Sequence, residues 1–382
     1  MGLNYLAPSP YAAFVTRSGS FQADSNGLIS NVASGPAALD LLEAGCSPLS
    51  FNPFANFRNL IDGGDFSINP FQRNVPGLAS GGALATPISS TPSYFADRFF
   101  AAGGASSAIL MAAASDACIP GFNQSLKIYR QAGNASASPI YFGQVIETLD
   151  ALRCQNQTVT LSFWARAGAT YSGGALNVQV VYGTGSNQSA ASLAASTWTG
   201  QANAISAPQA LTTGMTRYQF TGAVPVAATQ LAVLLSFTPS GTAGADDSVY
   251  INGVQLEIGA NASPFERVDA QVVLEICQRY AWVMAEPAAG VVVGAGQNTG
   301  ASAQVFYMAT PVQFMKAPTV NAAAGSFKTN QAGTATATTI SPGATHTVNA
   351  ISVNANSAGT AGQATLLQGG GGAGWILASA DF

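Results

Sequence analysis

An all-β chain of two antiparallel sheets packed face to face is the fold this sequence predicts, and three observations lead to it. Residues 160–167 alternate strictly, with Leu161, Phe163 and Ala165 on one side and Thr160, Ser162, Trp164 and Arg166 on the other. That is the two-residue period of a half-buried strand, which needs a second sheet to cover its apolar side. Strand signals of this kind recur roughly eight or nine times between Asp97 and Ile258, separated by loops rich in Gly, Ser and Asn. Helical spacing is confined to short stretches.

Residues 1–55 read as a small leader. Phe14-Val15-Thr16-Arg17, a turn at Ser18-Gly19, Phe21-Gln22-Ala23-Asp24 and Gly27-Leu28-Ile29-Ser30 suggest short strands. A short helix follows over 35–45, with Pro36 near its start, Gly45 at its end, and Leu39 and Leu42 facing the strands with Val32. A unit this small holds little core and packs against something else, so it is read as a docking module. The next stretch is punctuated by Asn52-Pro53, Asn69-Pro70, Gly81-Gly82 and Thr91-Pro92, an irregular approach to the sandwich at 56–268. Its largest loop, 183–210, contains Trp198. Val272, Val273, Ile276 and Tyr280 at helical spacing place a connector at 269–285. Residues 286–382 read as a second β-domain of small residues. Phe306, Tyr307, Phe314, Trp375 and Ile376 supply too many large apolar anchors for a disordered tail.

Composition narrows the function classes. Only 8% of the 382 residues are charged, against roughly 25% in average soluble proteins. From Pro287 to Ala380 the only charged residues are Lys316 and Lys328. So little charge favours a subunit that buries its sides against copies of itself, and a homotrimer is expected. No run of about 18 apolar residues is present, and no basic segment followed by a long apolar one opens the sequence, so no membrane insertion and no processing are expected. The net charge is -4 and the Lys and Arg residues are scattered, which leaves no electrostatic footprint for nucleic acid. Cys46, Cys118, Cys154 and Cys277 lie far apart, and His346 is the single His, so zinc is excluded and four buried free thiols are expected.

Six signatures recur in one order between Asn59 and Tyr280. They are Asn59-Leu60-Ile61-Asp62-Gly63-Gly64-Asp65-Phe66 with Gln72-Arg73 after it, Ala96-Asp97-Arg98-Phe99, and Leu161-Ser162-Phe163-Trp164-Ala165-Arg166-Ala167. Arg217-Tyr218-Gln219-Phe220-Thr221, Val254-Gln255-Leu256-Glu257 and Cys277-Gln278-Arg279-Tyr280 complete the series. Together they resemble bacteriophage virion proteins that carry a jelly-roll domain like those of carbohydrate-binding modules. The resemblance implies a jelly-roll sandwich and a virion protein assembled in the host cytoplasm. The role it points to is a tail-associated fibre or spike that meets host-surface glycans, held to other virion proteins through residues 1–55. The alternative is a head fibre or decoration protein on the capsid with a purely structural role.

Chemistry is harder to place, and no enzyme is expected. His346 has no Asp or Glu near it in sequence to make a triad. Asp246 and Asp247 are adjacent, so on a strand they point opposite ways and read as a structural turn. Asp65 and Glu257 are two carboxylates where calcium wants six to eight oxygens, and neither a metal nor any other cofactor is assigned. What remains is aromatic stacking on sugar rings with amides taking the hydroxyls. The candidate glycan contacts are Trp198, Tyr171 and Tyr182, with Gln179, Asn187 and Gln188; Trp164 is read as packing.

Overall fold

The computed structural model describes residues 3–6, 13–16, 19–22, 28–32, 47–48, 58–66, 85–87, 90–94, 96–103, 109–114, 118–122, 124–323, 327–372 and 374–381. Five short strands come first: β1 (Leu3–Leu6), β2 (Ala13–Thr16), β3 (Gly19–Gln22), β4 (Leu28–Val32) and β5 (Ser47–Pro48). β2 pairs antiparallel with β3, Thr16 opposite Gly19, and β1 pairs with both β4 and β5, while Ser18 of the expected turn lies outside the described residues. The helix expected at 35–45 and Cys46 lie outside the described residues.

The sandwich follows as β6 (Ala85–Pro87), β7 (Ser93–Tyr94), β8 (Phe100–Gly103), β9 (Ile109–Ala114), β10 (Ser125–Arg130) and β11 (Ile140–Ile146). It continues as β12 (Thr158–Ala167), β13 (Leu176–Gly183), β14 (Ala202–Gln209), β15 (Thr216–Ala223), β16 (Gln230–Phe237) and β17 (Asp247–Ile258). These make two six-stranded sheets, ordered β15-β12-β17-β10-β9-β6 and β14-β13-β16-β11-β8-β7. Every pairing in them is antiparallel, and each strand from β10 to β13, and again from β14 to β17, crosses to the opposite sheet. The fold is an antiparallel jelly-roll sandwich.

Alternation decides which side of each strand is covered. On β12, Leu161, Phe163 and Ala165 enter the core between the sheets, where they meet Val178 and Val180 of β13, Val233 and Leu235 of β16, and Val249 and Ile251 of β17. Each fully buried Leu, Val or Phe there contributes roughly 1.5–3 kcal/mol. One stretch differs from the sequence reading. The supposed loop 183–210 holds a short helix and β14, an edge strand paired with β13. Among the described residues three short α-helices interrupt the strands: α1 (Thr148–Ala151), which runs on into a 3-10 turn at Leu152–Cys154, α2 (Ala190–Ala194) and α3 (Ala270–Gln278). Asp269 caps α3, its Oδ1 accepting from the Gln271 N–H at 2.9 Å. No helix among the described residues is long and apolar enough to cross a membrane.

After α3 come β18 (Ala281–Ala285), β19 (Val292–Gly300), β20 (Ala303–Ala309), β21 (Thr319–Ala323) and β22 (Lys328–Gln331). The chain ends with β23 (Thr334–Ala337), β24 (Thr339–Pro342), β25 (Ala350–Asn356), β26 (Ala364–Gln368) and β27 (Trp375–Ser379). They form a three-stranded sheet, β18-β27-β21, and a seven-stranded sheet, β23-β22-β26-β19-β20-β25-β24. Phe306, Met308, Phe314, Phe327, Leu367 and Ile376 fill the core of this part. Two of the expected anchors behave differently: Trp375 is half-buried, and Tyr307 is 56% exposed.

Candidate functional site

Four of the signatures, 59–66, 96–99, 254–257 and 277–280, are far apart in sequence and meet at one end of the sandwich, while Gln72 and Arg73 lie outside the described residues. Past Ile251, where its pairing with β10 stops, β17 has an open edge, and residues 59–64 close it. The Leu60 N–H donates to the Leu256 carbonyl at 2.8 Å, and the Val254 N–H donates to the Gly64 carbonyl at 2.8 Å. Asn59 Oδ1 accepts from the N–H groups of Ile61 and Leu256, both at 3.0 Å. Gly64 is required here, because a Cβ on it would stand 2.1 Å from the Val254 carbonyl oxygen. From β11, the buried Gln144 side chain holds the same segment, accepting from the Asp62 N–H and donating to the Asp62 carbonyl, each at 2.8 Å.

Arg98 binds this assembly from below. It is 2% exposed and in the left-handed region at φ 69°, a conformation that costs a non-glycine residue on the order of 1–2 kcal/mol. Its Nε donates to Asp62 Oδ2 at 3.0 Å, and a second nitrogen donates to the Val145 carbonyl at 2.7 Å. Its guanidinium carbon lies 3.5 Å from the centroid of the Tyr280 ring, a cation–π contact. Tyr280 in turn donates its hydroxyl to Glu147 Oε2 at 2.8 Å, and Arg279 donates to Glu147 Oε1 at 2.7 Å. The end of α3 is thereby tied to the end of β11.

Two carboxyls in this network are held in opposite directions. Burial pushes Asp62 above the ordinary carboxylate range, and the Arg98 charge and hydrogen bond offset this only in part. Burial also pushes Glu147 up, but the hydrogen bonds from Arg279 and Tyr280, with the charge of Arg279, outweigh it and hold Glu147 below its usual value. Burial raises the Tyr280 phenol, and it raises the Cys277 thiol well above normal.

Above the network lies a cavity of about 300 Å³. Its apolar side is Leu60, Ile61, Phe265, Val273 and Ile276, and its polar side includes Asp62, Asp65, Glu147, Asp150, Glu266, Arg153 and Arg279. Asp150 and Arg153 form an exposed ion pair at 3.0 Å on the α1 side. Such a wall offers carboxylate acceptors, guanidinium donors and apolar surface within one small volume, the composition that suits a polyhydroxylated ligand.

The residues expected to contact glycan are not brought together. Trp198, expected in an exposed loop, is 3% exposed and packs with Phe100, Val181, Leu193 and Tyr280, which corrects that reading. Its indole N–H donates to the Ser189 carbonyl at 2.9 Å. The 183–201 excursion, with α2, covers part of the outer face of the β13 sheet, and Trp198 is the side chain that seats it. Tyr171 is half-buried with its ring centroid 5.4 Å from that of Phe237 in an edge-on contact, and Tyr182 packs against the same inter-sheet core. Gln179 is half-buried on the outer face, paired in register with Leu234 and Ser206. Asn187 and Gln188 are engaged locally: Asn187 Oδ1 accepts from the Thr148 N–H at 2.9 Å, and Gln188 Oε1 accepts from the Thr199 N–H at 2.9 Å. Tyr171 precedes β13 and Asn187 follows it, so the length of a strand separates them.

Several other readings can be placed. Trp164 packs at 5.9 Å from Phe122, with the Arg217 guanidinium 4.8 Å from its ring. Asp247 pairs with Arg130 and Asp246 accepts from the Ser248 and Tyr250 hydroxyls. Glu257 accepts from the Ser263 N–H and hydroxyl, each at 2.7 Å, and so fixes a turn. The His346 Nδ1 accepts from the Ser352 N–H at 3.3 Å. Cys154 and Cys277 are buried free thiols, with Cys154 pushed up to about 11 by burial, whereas Cys118 is half-exposed and not buried as expected. Of the pocket residues, the sequence marks Asp62 and Arg279 only as parts of signatures, Tyr280 also by its helical spacing, and Asp65 also as a carboxylate weighed for calcium. Glu147, Asp150 and Arg153 went unmarked, as single charges with no local pattern, and Glu266 stood out only within the segment Pro264-Phe265-Glu266-Arg267.

No protein-family profile and no curated protein matches this chain. Among solved structures it is similar to the enzymatically active domain of tailspike protein 4 from bacteriophage CBA120, at 11% identity and a TM-score of 0.35, covering 54% of this chain and 22% of that one. It is also similar to a family 61 carbohydrate-binding module in complex with β-1,4-galactotriose, at 10% identity and a TM-score of 0.29, covering 53% of this chain and 99% of that one. A xylan-binding domain from Paenibacillus barcinonensis, of family 22, gives 12% identity and a TM-score of 0.29, covering 48% of this chain and 99% of that one. This chain therefore spans about a fifth of the tailspike domain's length.

Proposed function

We propose that this chain is a non-catalytic subunit of a bacteriophage virion appendage, a tail-associated fibre or spike, that contacts host-surface glycans at one end of its jelly-roll sandwich. The observation that supports the glycan reading is the 300 Å³ cavity where the opening segment, α1 and α3 meet. A sugar ring presents hydroxyls at its rim and apolar C–H groups on its face. Asp150 accepts from the first, Arg153 and Arg279 donate to them, and Phe265 and Ile276 receive the second. The phage assignment rests on the order of signatures between Asn59 and Tyr280, and residues 1–55 are assigned the docking to other virion proteins. Asp62 and Glu147 face arginines at 3.0 and 2.7 Å, which suits them to hold the wall and not to exchange protons with a substrate.

The test is binding of the full chain to host cells and to a glycan array, comparing wild type with Asp150→Ala/Arg153→Ala. Both side chains are about half exposed, so their loss costs little stability. Glycan binding is expected to fall about tenfold while the melting temperature stays within a few degrees. Undiminished binding by the double variant removes the cavity as the contact site. A wild-type chain that binds neither cells nor glycans removes the adhesive role and leaves a structural decoration.

A further inference from the structure

We infer that the outer face of the seven-stranded sheet in the C-terminal part is the surface through which copies of this chain associate. The register places Asn330, Leu366, Ala295, Tyr307 and Ser352 in one row across β22, β26, β19, β20 and β25. The next row is Ala364, Gln297, Val305 and Asn354. Side chains paired this way share a face, and the alternate residues Phe306, Met308, Leu367 and Val353 are the ones that fill the core. From β22 to β20 the row's face is therefore the open one, while at β25 it is covered, since Ser352 is buried and its hydroxyl donates to the Thr345 carbonyl at 2.6 Å. Tyr307 is 56% exposed on it, Leu366 is 38% exposed, and Val292, at the end of β19, is 49% exposed.

The solvent side of a one-face-covered antiparallel sheet ordinarily carries polar and charged side chains. Here it carries Tyr, Leu, Val, Ala, Asn and Gln, and the charged residue paired into it is Lys328, at its corner beside Gln368. An open sheet face that is uncharged and carries exposed Tyr, Leu and Val side chains marks an association surface. Its lack of charge selects the occupant. A charged partner would lose hydration against this face with nothing to pair its charges, while an uncharged face meets its like without that cost. The uncharged face at hand is the same sheet on another copy. Closed cyclic symmetry then turns the faces toward a common axis, as in the trimer that the composition leads one to expect. The contact lies in strands far from the glycan-site residues in sequence, and its failure leaves that site untouched.

The experiment is light scattering of the full-length chain at micromolar concentration, wild type against Tyr307→Glu, Leu366→Glu and the double variant. Wild type is expected at a multiple of the monomer mass, the single variants at least about tenfold weaker in self-association, and the double variant at monomer mass, since each change buries an unpaired charge in the contact. Val226→Glu, on a residue 70% exposed in the sandwich, is expected to leave the mass unchanged. Near-ultraviolet circular dichroism confirms that each variant is folded. Should the glutamate variants fail to fold, Ala295→Cys serves instead, and oxidation is expected to give covalently linked copies absent from the wild type. A wild-type monomer, folded glutamate variants that keep the wild-type mass, or no cross-link through Cys at 295 would each overturn the inference.

Discussion

The sandwich and the C-terminal sheets solve the same problem, burying backbone between antiparallel sheets, with opposite use of charge. The sandwich holds its ends with buried ions. Arg130 and Asp247 meet at 2.7 Å with both side chains wholly buried, and Arg130 also donates to the carbonyls of Asn134, Ser136, Ser240 and Gly241 and to the Ser172 hydroxyl. One guanidinium thus fixes three loops at the end of the sandwich remote from Arg98. The C-terminal part uses neutral groups in its interior, with Glu286 at its margin accepting from the Gly370 and Gly374 N–H groups at 2.8 and 2.9 Å. Gln304 donates to the Ser357 carbonyl at 2.6 Å and accepts from the Ser357 N–H at 3.0 Å, while Thr329 bonds the Ser357 hydroxyl. Buried ions fix geometry within one chain but are costly to leave unpaired. Neutral networks impose no charge on the outside, so the sheet they support stays free to be covered. The difference in composition is a division between a part that positions loops and a part that presents a face.

The largest effect that separates the two parts is expected at Asp247. In Asp247→Asn the Arg130 charge stays buried without its counterion, and the fold should lose about 3–5 kcal/mol. Chemical denaturation followed by tryptophan fluorescence measures it. A loss under about 1 kcal/mol would mean that the carbonyls alone satisfy Arg130 and that the ion pair is not what fixes this end.

A smaller loss is expected for the neutral counterpart. Gln304→Leu removes the three bonds to Ser357 and leaves a buried N–H and carbonyl unsatisfied, at a cost of about 1–3 kcal/mol. Thermal unfolding of the wild type and the variant gives the comparison. If Gln304→Leu proved as damaging as Asp247→Asn, charge would not be what distinguishes the two parts.

Much of the sandwich was legible because alternation is a local signal. Leu161, Phe163 and Ala165 announce the covered side of β12 without reference to any other strand. β14 was not legible, since Ala202–Gln209 is an edge strand of small residues with Pro208 in it, and nothing in that stretch alternates strongly. Trp198 misled for a related reason. A large aromatic in a Gly- and Ser-rich segment reads as exposed, and its burial depends on the outer face of β13 lying beneath it, which no sequence window contains. The candidate cavity was half legible. Asp62, Arg98 and Tyr280 stand in recurring signatures, yet that they converge on Glu147, and that Glu147 matters at all, is a product of the tertiary fold. Tyr307 was counted as an anchor for its size, and alternation, applied to it and Phe306, sends only one of them inward.

The smallest expected effect tests how the two parts are joined. Glu147 on the sandwich accepts from Arg279 and Tyr280, and the backbone of Tyr280 accepts from the Ala380 N–H at 2.7 Å, so this carboxylate stands at the joint. Its folded pKa is below the ordinary value, because the bonds from Arg279 and Tyr280 outweigh the burial that would raise it. A carboxyl lowered in this way binds its proton less readily folded than unfolded, so its stabilisation is present above the unfolded pKa and is lost as the pH falls through the folded one. Arg279 is partly exposed, which screens the pair and limits the contribution to about 1 kcal/mol or less. Acidifying from neutral to below pH ~4 should therefore remove slightly more stability from wild type than from Glu147→Gln, which keeps the shape but has no proton to gain. Proteolysis at the α3 connector should rise over the same interval in wild type, as the Arg279 and Tyr280 contacts loosen. Parallel acid profiles for the two proteins would mean that the joint is held by the Arg98–Tyr280 contact and the backbone alone, and that the charge on Glu147 plays no part in joining the sandwich to the face-presenting sheets.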